Sequence, residues 1–395
     1  MFRFLRIVFF ILCSAFLVLP PSVAQKKIVL QAKQYIKSGK DFDKAERLML
    51  ELLSDSNSLD NQIKYRLILI DALRAQYEQG NERLYLKQKY DTAALFVTTK
   101  KIFDNFNVVD SIAMNLNMKH RYKEKNINFL LKLLPNLYNG GSYYVTKNKF
   151  AEAFGFYSQF IDTSEEPLFY NKDNEGKVHR AASMAVYCGY KINDFDKLME
   201  YKSLALKDTS QLAFVYQYMA EGYKQIGDTL NYIDIIKKGF DEFTSFPFFF
   251  PRLIEYYNGL ERYDESLKYI NKALACDSTN VVYRFAKSTV MLNTGRYDEC
   301  IKLSQDLIAE SDTLAEAYYN LGVSYYNQAI ELDKVYQRST KNKKRIRELY
   351  EMSRPSIERF RLLAPDQKDK WMPLLYTIYL NLNMGKEFDE INRIR

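Results

Sequence analysis

The chain has 395 residues, 47% of them hydrophobic and 15% aromatic, with 57 Lys and Arg against 49 Asp and Glu for a net charge of +8. A balance this mild for the length does not mark a nucleic-acid binder. Two histidines offer little to metal chemistry, and the three cysteines beyond residue 24 are irregularly spaced, which is not a disulfide framework.

Residues 1–24 read as a leader. Arg3 and Arg6 precede the apolar run 7–19, and Ser22, Val23 and Ala24 give a small-x-small pattern before Gln25. Together they predict a secretory signal peptide cleaved near Ala24. The run is shorter than the about 20 residues of a spanning helix, and Pro20 and Pro21 end it. No transmembrane span is expected after cleavage, and the two arginines lost leave a charge of 8 − 2 = +6. Cys13, following Ile11 and Leu12, offers a lipoprotein reading, although it sits inside the run with no small residue before it. The absence of any Asn-x-Ser/Thr sequon agrees with bacterial export. The expected location is the periplasm or the outer membrane.

Residues 25–133 form a helical region of degenerate units. The first covers 26–57, with Phe42, Ala45, Met49 and Leu52 at helical spacing in KDFDKAERLMLELL. A second, at 61–103, has lengthened helices and carries Tyr90 and Ala93. Residues 106–134 are irregular, and Pro135 is expected to start or kink the next helix.

From Leu134 onward one pattern recurs at a fixed interval. Its units start at Leu134, Val178 or His179, Ala213, Pro247, Val281 and Ala315, with one insertion after Pro167. The eighth residue of each unit is Gly141, Val186, Ala220, Ile254, Ser288 and Gly322. Four of these six are small, as a close crossing of two helices requires. The twentieth reads Ala153, Leu198, Tyr232, Ser266 and Cys300; the twenty-seventh reads Phe160, Ala205, Gly239, Ala273 and Leu307. Tyr144, Tyr223, Tyr257, Met291 and Tyr325 share one bulky phase, and Phe150, Phe195, Tyr263 and Tyr297 another. Two positions break the rule: Gly189 replaces an aromatic, and Tyr232 a small residue.

A period of about 34 residues is that of helix–turn–helix repeats. The stretch AEAYYNLGVSYY (315–326), with Tyr318, Leu321, Gly322 and Tyr325, resembles the first helix of a tetratricopeptide repeat, and RYDESLKYINKALACD and TGRYDECIKLSQDLI resemble the second. The resemblance covers 134–366 well and the earlier units weakly. It implies an all-α, right-handed α-solenoid of stacked antiparallel helix pairs. The unit-ending proline of the family is mostly replaced, by Thr244, Ser278 and Asp312, and returns at Pro365.

Inside this array, EEPLFYNKDNEGK (165–177) is a polar loop insertion, and 327–352 extends both helices of the last full unit. The basic run KNKKRIR there, with Lys341, Lys343, Lys344, Arg345 and Arg347, is a solvated tip or a peripheral contact for an anionic surface. Residues 367–395 give capping helices with the single Trp371 and a polar FDEINRIR end.

No catalytic motif stands out. His120 and His179 lie far apart with no H-E-x-x-H partner. Gly140 and Gly141 fall on a packing phase, which excludes a phosphate loop, and no G-x-S-x-G elbow occurs. Cys276 and Cys300 read as buried apolar cysteines. No enzyme activity and no cofactor are expected. The resemblance implies instead a concave face lined by first helices. On its free phases stand Tyr138, Asn139, Tyr187, Tyr190, Gln217, Tyr218, Glu221, Arg252, Glu255, Tyr319, Asn320 and Tyr326. A Lys/Asn/Arg clamp for a terminal carboxylate, found in chaperone-binding relatives, is not present on these phases. Tyrosine-rich faces suit protein or peptide partners. The alternative is a glycan-binding component of an outer-membrane carbohydrate-uptake system, which would use the same aromatics as sugar platforms.

Overall fold

The computed structural model describes residues 21–56, 58–118, 121–335 and 340–394; the leader through Pro20, with Cys13, and His120 lie outside them. All regular structure among the described residues is helical. The chain divides into two compact units, one through Ile226 and one from Gly227.

The first unit comprises α1 (Pro21–Ser38), α2 (Phe42–Ser54), α3 (Leu59–Tyr85), α4 (Thr92–Asn115), α5 (Arg121–Lys125), α6 (Ile127–Thr146), α7 (Phe150–Glu165), α8 (Glu175–Lys191), α9 (Phe195–Glu200), α10 (Lys202–Ala205) and α11 (Leu212–Gln225). The second comprises α12 (Thr229–Glu242), α13 (Phe249–Gly259), α14 (Tyr263–Cys276), α15 (Val281–Asn293), α16 (Tyr297–Glu310), α17 (Ala315–Val335), α18 (Thr340–Leu363), α19 (Lys368–Leu382) and α20 (Gly385–Ile394). In each unit most helices consecutive in sequence pack on one another, the short α9 and α10 both pack on α8, and α11 returns to α8 as α17 does to α15. Each unit is therefore an α-solenoid stack of antiparallel pairs.

The turn inside each pair repeats as strictly as the helices. Asn193, Gly227, Glu261 and Gly295, each one full repeat after the last, all have positive φ of 54–76°. A left-handed residue there ends the helix before it. Asn148, with φ 57°, serves the same purpose before α7. The carbonyls of Tyr144, Gly189, Tyr257 and Met291 then accept the amides of Lys149, Asp194, Arg262 and Arg296 at 2.9–3.1 Å, which satisfies helix-end acceptors that would otherwise go unpaired. Asp194, Asp228 and Asn280 cap the following helices through side-chain oxygens.

The small-residue phase sits at the helix crossings. A Cβ on Gly141 would lie 2.8 Å from the Tyr157 ring, and one on Gly322 would lie 2.5 Å from Ile357. Gly239, on the phase that faces the following helix, would strike Phe249 at 2.3 Å. Gly140 is packing too, with Phe156 on one side and Phe96 on the other. Of the bulky phases, Tyr257, Met291 and Tyr325 are buried and Tyr144, Tyr223, Phe150, Phe195, Tyr263 and Tyr297 half-buried, and the rings of Tyr157, Phe160 and Phe240 are buried beside them. Each such burial contributes about 1.5–3 kcal/mol.

Where the pattern breaks, the structure compensates. Gly189 faces backbone: its Cβ would lie 2.5 Å from the Leu198 nitrogen and 2.6 Å from its Cα. The large Leu198 thus takes the small-residue place because the residue opposite has no side chain. The second helix there is also split into α9 and α10 at Tyr201, a buried residue whose hydroxyl donates to Asp162 at 2.9 Å. Burial raises the Asp162 carboxyl above its ordinary range, and the Tyr201 hydrogen bond opposes the rise.

Several expectations change. Pro135 lies inside α6, which starts at Ile127 and runs through the 133/134 boundary, so it does not open that helix. Residues 106–115 continue α4, leaving only a short irregular link around α5. The insertion at 165–177 is a shorter loop with a 3-10 turn at Lys172–Asn174, and it is anchored. Phe169 is 2% exposed against Phe103, and Glu166 pairs with the buried Lys123 at 2.7 Å. Cys300 is buried but Cys276 is exposed, because it is the last residue of α14, past the packing position at Ala273. α17 and α18 run for 21 and 24 residues, with Arg345 and Arg347 of the basic run paired to Glu348 and Glu351 on α18. Trp371 is buried under Arg361, whose guanidinium lies 5.0 Å from the indole ring.

Candidate functional site

Rings gather where the first helices α8 and α11 lie side by side. Tyr187 and Tyr190 are three residues apart on α8, and Phe214 and Tyr218 four apart on α11, so each pair shares one helix face. Tyr218 is the keystone. It stacks on Tyr190 with centroids 5.0 Å apart and planes at 23°, and on Phe214 at 6.4 Å and 26°. Tyr187 meets it at 5.3 Å and 47°, and Phe150, the first residue of α7, stands edge-on to Tyr187 at 5.7 Å. Such pairs contribute about 0.5–1.5 kcal/mol each beyond their buried area, so the ladder holds its own geometry. Burial pushes the Tyr218 phenol up to about 12, with Tyr187 and Tyr190 adding to the rise. It therefore remains a neutral hydrogen-bond donor at physiological pH.

Lys191 closes one end. Its ammonium lies 5.9, 5.6 and 5.9 Å from the rings of Phe150, Tyr187 and Tyr190. Exposed contacts of this kind are worth about 0.5–1 kcal/mol each. The other end opens into a cavity of about 180 Å³ lined by Ser183, Met184, Tyr187, Gln211, Phe214, Val215 and Tyr218. Val215 is buried at its base, and Phe214 is 42% exposed at its rim.

No family model matches this chain. No curated protein matches its sequence either. Solved structures do: a TPR repeats protein from Bacteroides fragilis, 13% identical, over 66% of this chain and 99% of its own (TM-score 0.28). Yeast Tom70 is similar at 11% identity over 95% of each chain (TM-score 0.29), and the TPR domain of P58(IPK) at 11% over 94% of this chain and all of its own (TM-score 0.29).

The residues expected on the free face have separate fates. Tyr187, Tyr190 and Tyr218 come together in the ladder, with Gln217 and Glu221 half-buried beside Tyr218 on α11. Tyr138 instead packs edge-on against Tyr157 and Phe160 of its own pair, under Lys177 at 4.9 Å, and Asn139 is exposed. In the second unit, Arg252 lies over Phe248 at 3.6 Å and donates to its carbonyl, while Glu255 is exposed. Tyr319 packs on Phe360 at 5.0 Å, and Tyr326 stands edge-on to Tyr350 at 5.9 Å. Asn320 is not on an open face. It is 3% exposed, and its amide donates to Ser288 at 2.9 Å and Thr289 at 3.1 Å.

Sequence reasoning missed Phe150, Met184, Lys191 and Phe214. Phe214 carried a usable signal, since it stands one turn before Tyr218 on the same helix face. Phe150 had none, because its phase marks the start of a second helix. Among the described residues, no group of three or more His, Cys, Asp or Glu converges as metal ligands. Nor is any described helix long and apolar enough to cross a membrane.

Proposed function

We propose that this chain is a non-catalytic, exported scaffold that holds a protein or peptide partner in the bacterial periplasm or at the outer membrane. The observation that carries the reading is the ladder of Tyr187, Tyr190, Phe214 and Tyr218, self-stacked yet open along one side. Rings fixed in advance lose little entropy on binding, which favours recognition of a flexible segment. The leader pattern of Arg3, Arg6, the 7–19 run and Ala24 supports export. Cleavage after Ala24 leaves Gln25–Ser38 of α1 in the mature chain.

A photo-crosslinking residue at Gln217, beside the ladder, tests this in cells. The expected result is one discrete protein adduct from Gln217 and none from the exposed Lys202. Adducts equally frequent from both positions would reject the site. N-terminal sequencing of the mature chain tests export, with Gln25 the expected first residue. The glycan reading predicts binding to an oligosaccharide array that disappears in Tyr190→Ala and Tyr218→Ala. Array binding of that kind, without protein adducts, would replace the present reading.

A further inference from the structure

The cleft beside the ladder says what kind of segment fits. Its volume, about 180 Å³, is below the about 300–1,000 Å³ of pockets that enclose a whole small molecule, so it accommodates a single side chain. Apart from its two tyrosines, its lining hydroxyl and amide already donate to backbone carbonyls. Ser183 donates to the carbonyls of His179 and Ala205, and Gln211 to that of Ser210. Beyond the Tyr187 and Tyr218 hydroxyls a sugar would find few side-chain partners there, whereas an apolar group needs none. Met184 at the side is the residue type that adapts to varied apolar guests. At the opposite end, Lys191 touches only rings, with no carboxylate of the described residues paired to it. Glu221, the acidic residue of the face, already has a partner. The charge at that end of the ladder is thus positive.

Resting on the scaffold reading above, we infer that the bound segment carries a leucine, methionine or phenylalanine two or three residues from an aspartate or glutamate. The apolar side chain fills the cleft and the carboxylate meets Lys191. The spacing follows from the helix. Met184 and Tyr187 lie seven and four residues before Lys191, about 10 and 6 Å along α8 at 1.5 Å per residue. An extended chain advancing about 3.4 Å per residue covers that interval in two or three residues.

The test is selection of random displayed 12-residue peptides on the full chain, followed by fluorescence anisotropy of the winners. The expected consensus is an apolar residue and an acid at that spacing, in either chain direction. Phe214→Ala and Lys191→Glu, both at exposed positions, should each weaken binding at least 10-fold, and replacing the peptide's acid with lysine should restore binding to Lys191→Glu. Winners that fail with Tyr218→Ala but ignore Lys191→Glu and Phe214→Ala would overturn this inference while leaving the scaffold reading intact. Selection that yields no peptide sensitive to Tyr218→Ala would overturn both.

Discussion

Tyr218 and Asn320 occupy the same place in their repeats, and each reaches back to the preceding first helix, yet one builds an open face and the other seals a joint. Tyr218 meets Tyr187, and Asn320 meets Thr289, at the same separation along the chain. The register is identical. What differs is the size of the two partners. A ring opposite a ring cannot sink between the helices, so the pair stacks outward and gathers Tyr190 and Phe214. An amide opposite Ser288 and Thr289 lies flat, spends its hydrogens on two hydroxyls and disappears from the surface. A repeat position thus fixes which helix a side chain addresses; the volume of both partners decides whether the result is a surface or a seam.

The comparison can be broken or sharpened by substitution. The largest effect is expected at Gly189, which sets the spacing of α8 against α9. Gly189→Ala brings a methyl to 2.5 Å from the Leu198 backbone, which cannot turn aside, and should cost about 2–3 kcal/mol in denaturant unfolding. A neutral result would show that the crossing is looser than the geometry states. Next, Asn320→Ala should lose about 1–2 kcal/mol by removing two hydrogen bonds from the seam and leaving a gap where a buried amide stood, with peptide capture in the first unit unchanged. Tyr218→Ala should reverse that profile, losing about 1–2 kcal/mol of stability through its ring pairs but abolishing capture. If both variants behave alike, seam and surface are not distinct. Glu261→Gly is expected to gain about 1 kcal/mol, read as a higher Tm, because Glu261 holds a left-handed φ of 56° that glycine adopts freely.

The smallest effect is one of pH and concerns the split helix beside the ladder. Burial raises the Asp162 carboxyl above its unfolded value, so the folded state holds that proton more tightly. The wild type is penalised at neutral pH and recovers as pH falls through the raised value. Asp162→Asn carries no such charge. The stability difference should therefore move in favour of the wild type between pH 7 and pH 4, and a flat difference would show that Asp162 is better solvated than its position implies.

Much of the scaffold was legible in the residues. The constant repeat period, the small phase at Gly141, Ala220 and Gly322 and the aromatic starts of the second helices follow from helix geometry, because each depends on contacts within one pair or between successive pairs. Boundaries were read less well where tertiary packing overrode local signals. Pro135 sits inside α6, and the loop before α8 is tied down by Phe169 and Glu166, whose partners Phe103 and Lys123 lie far upstream, before α6 begins.

The twelve residues expected on one face were placed there by their phases, and phase is a property of a single helix. Whether each one stands open depends on what the neighbouring helix presents at the same height. That is why Asn320 is sealed, Tyr138 packs on its own partner helix, and Phe214 and Lys191 join a site that counting along the chain did not give them. Periodicity determined that helices would pair and which way their side chains would face. Only the packing of neighbouring helices, through the volumes meeting between them, decided which of those side chains stay open.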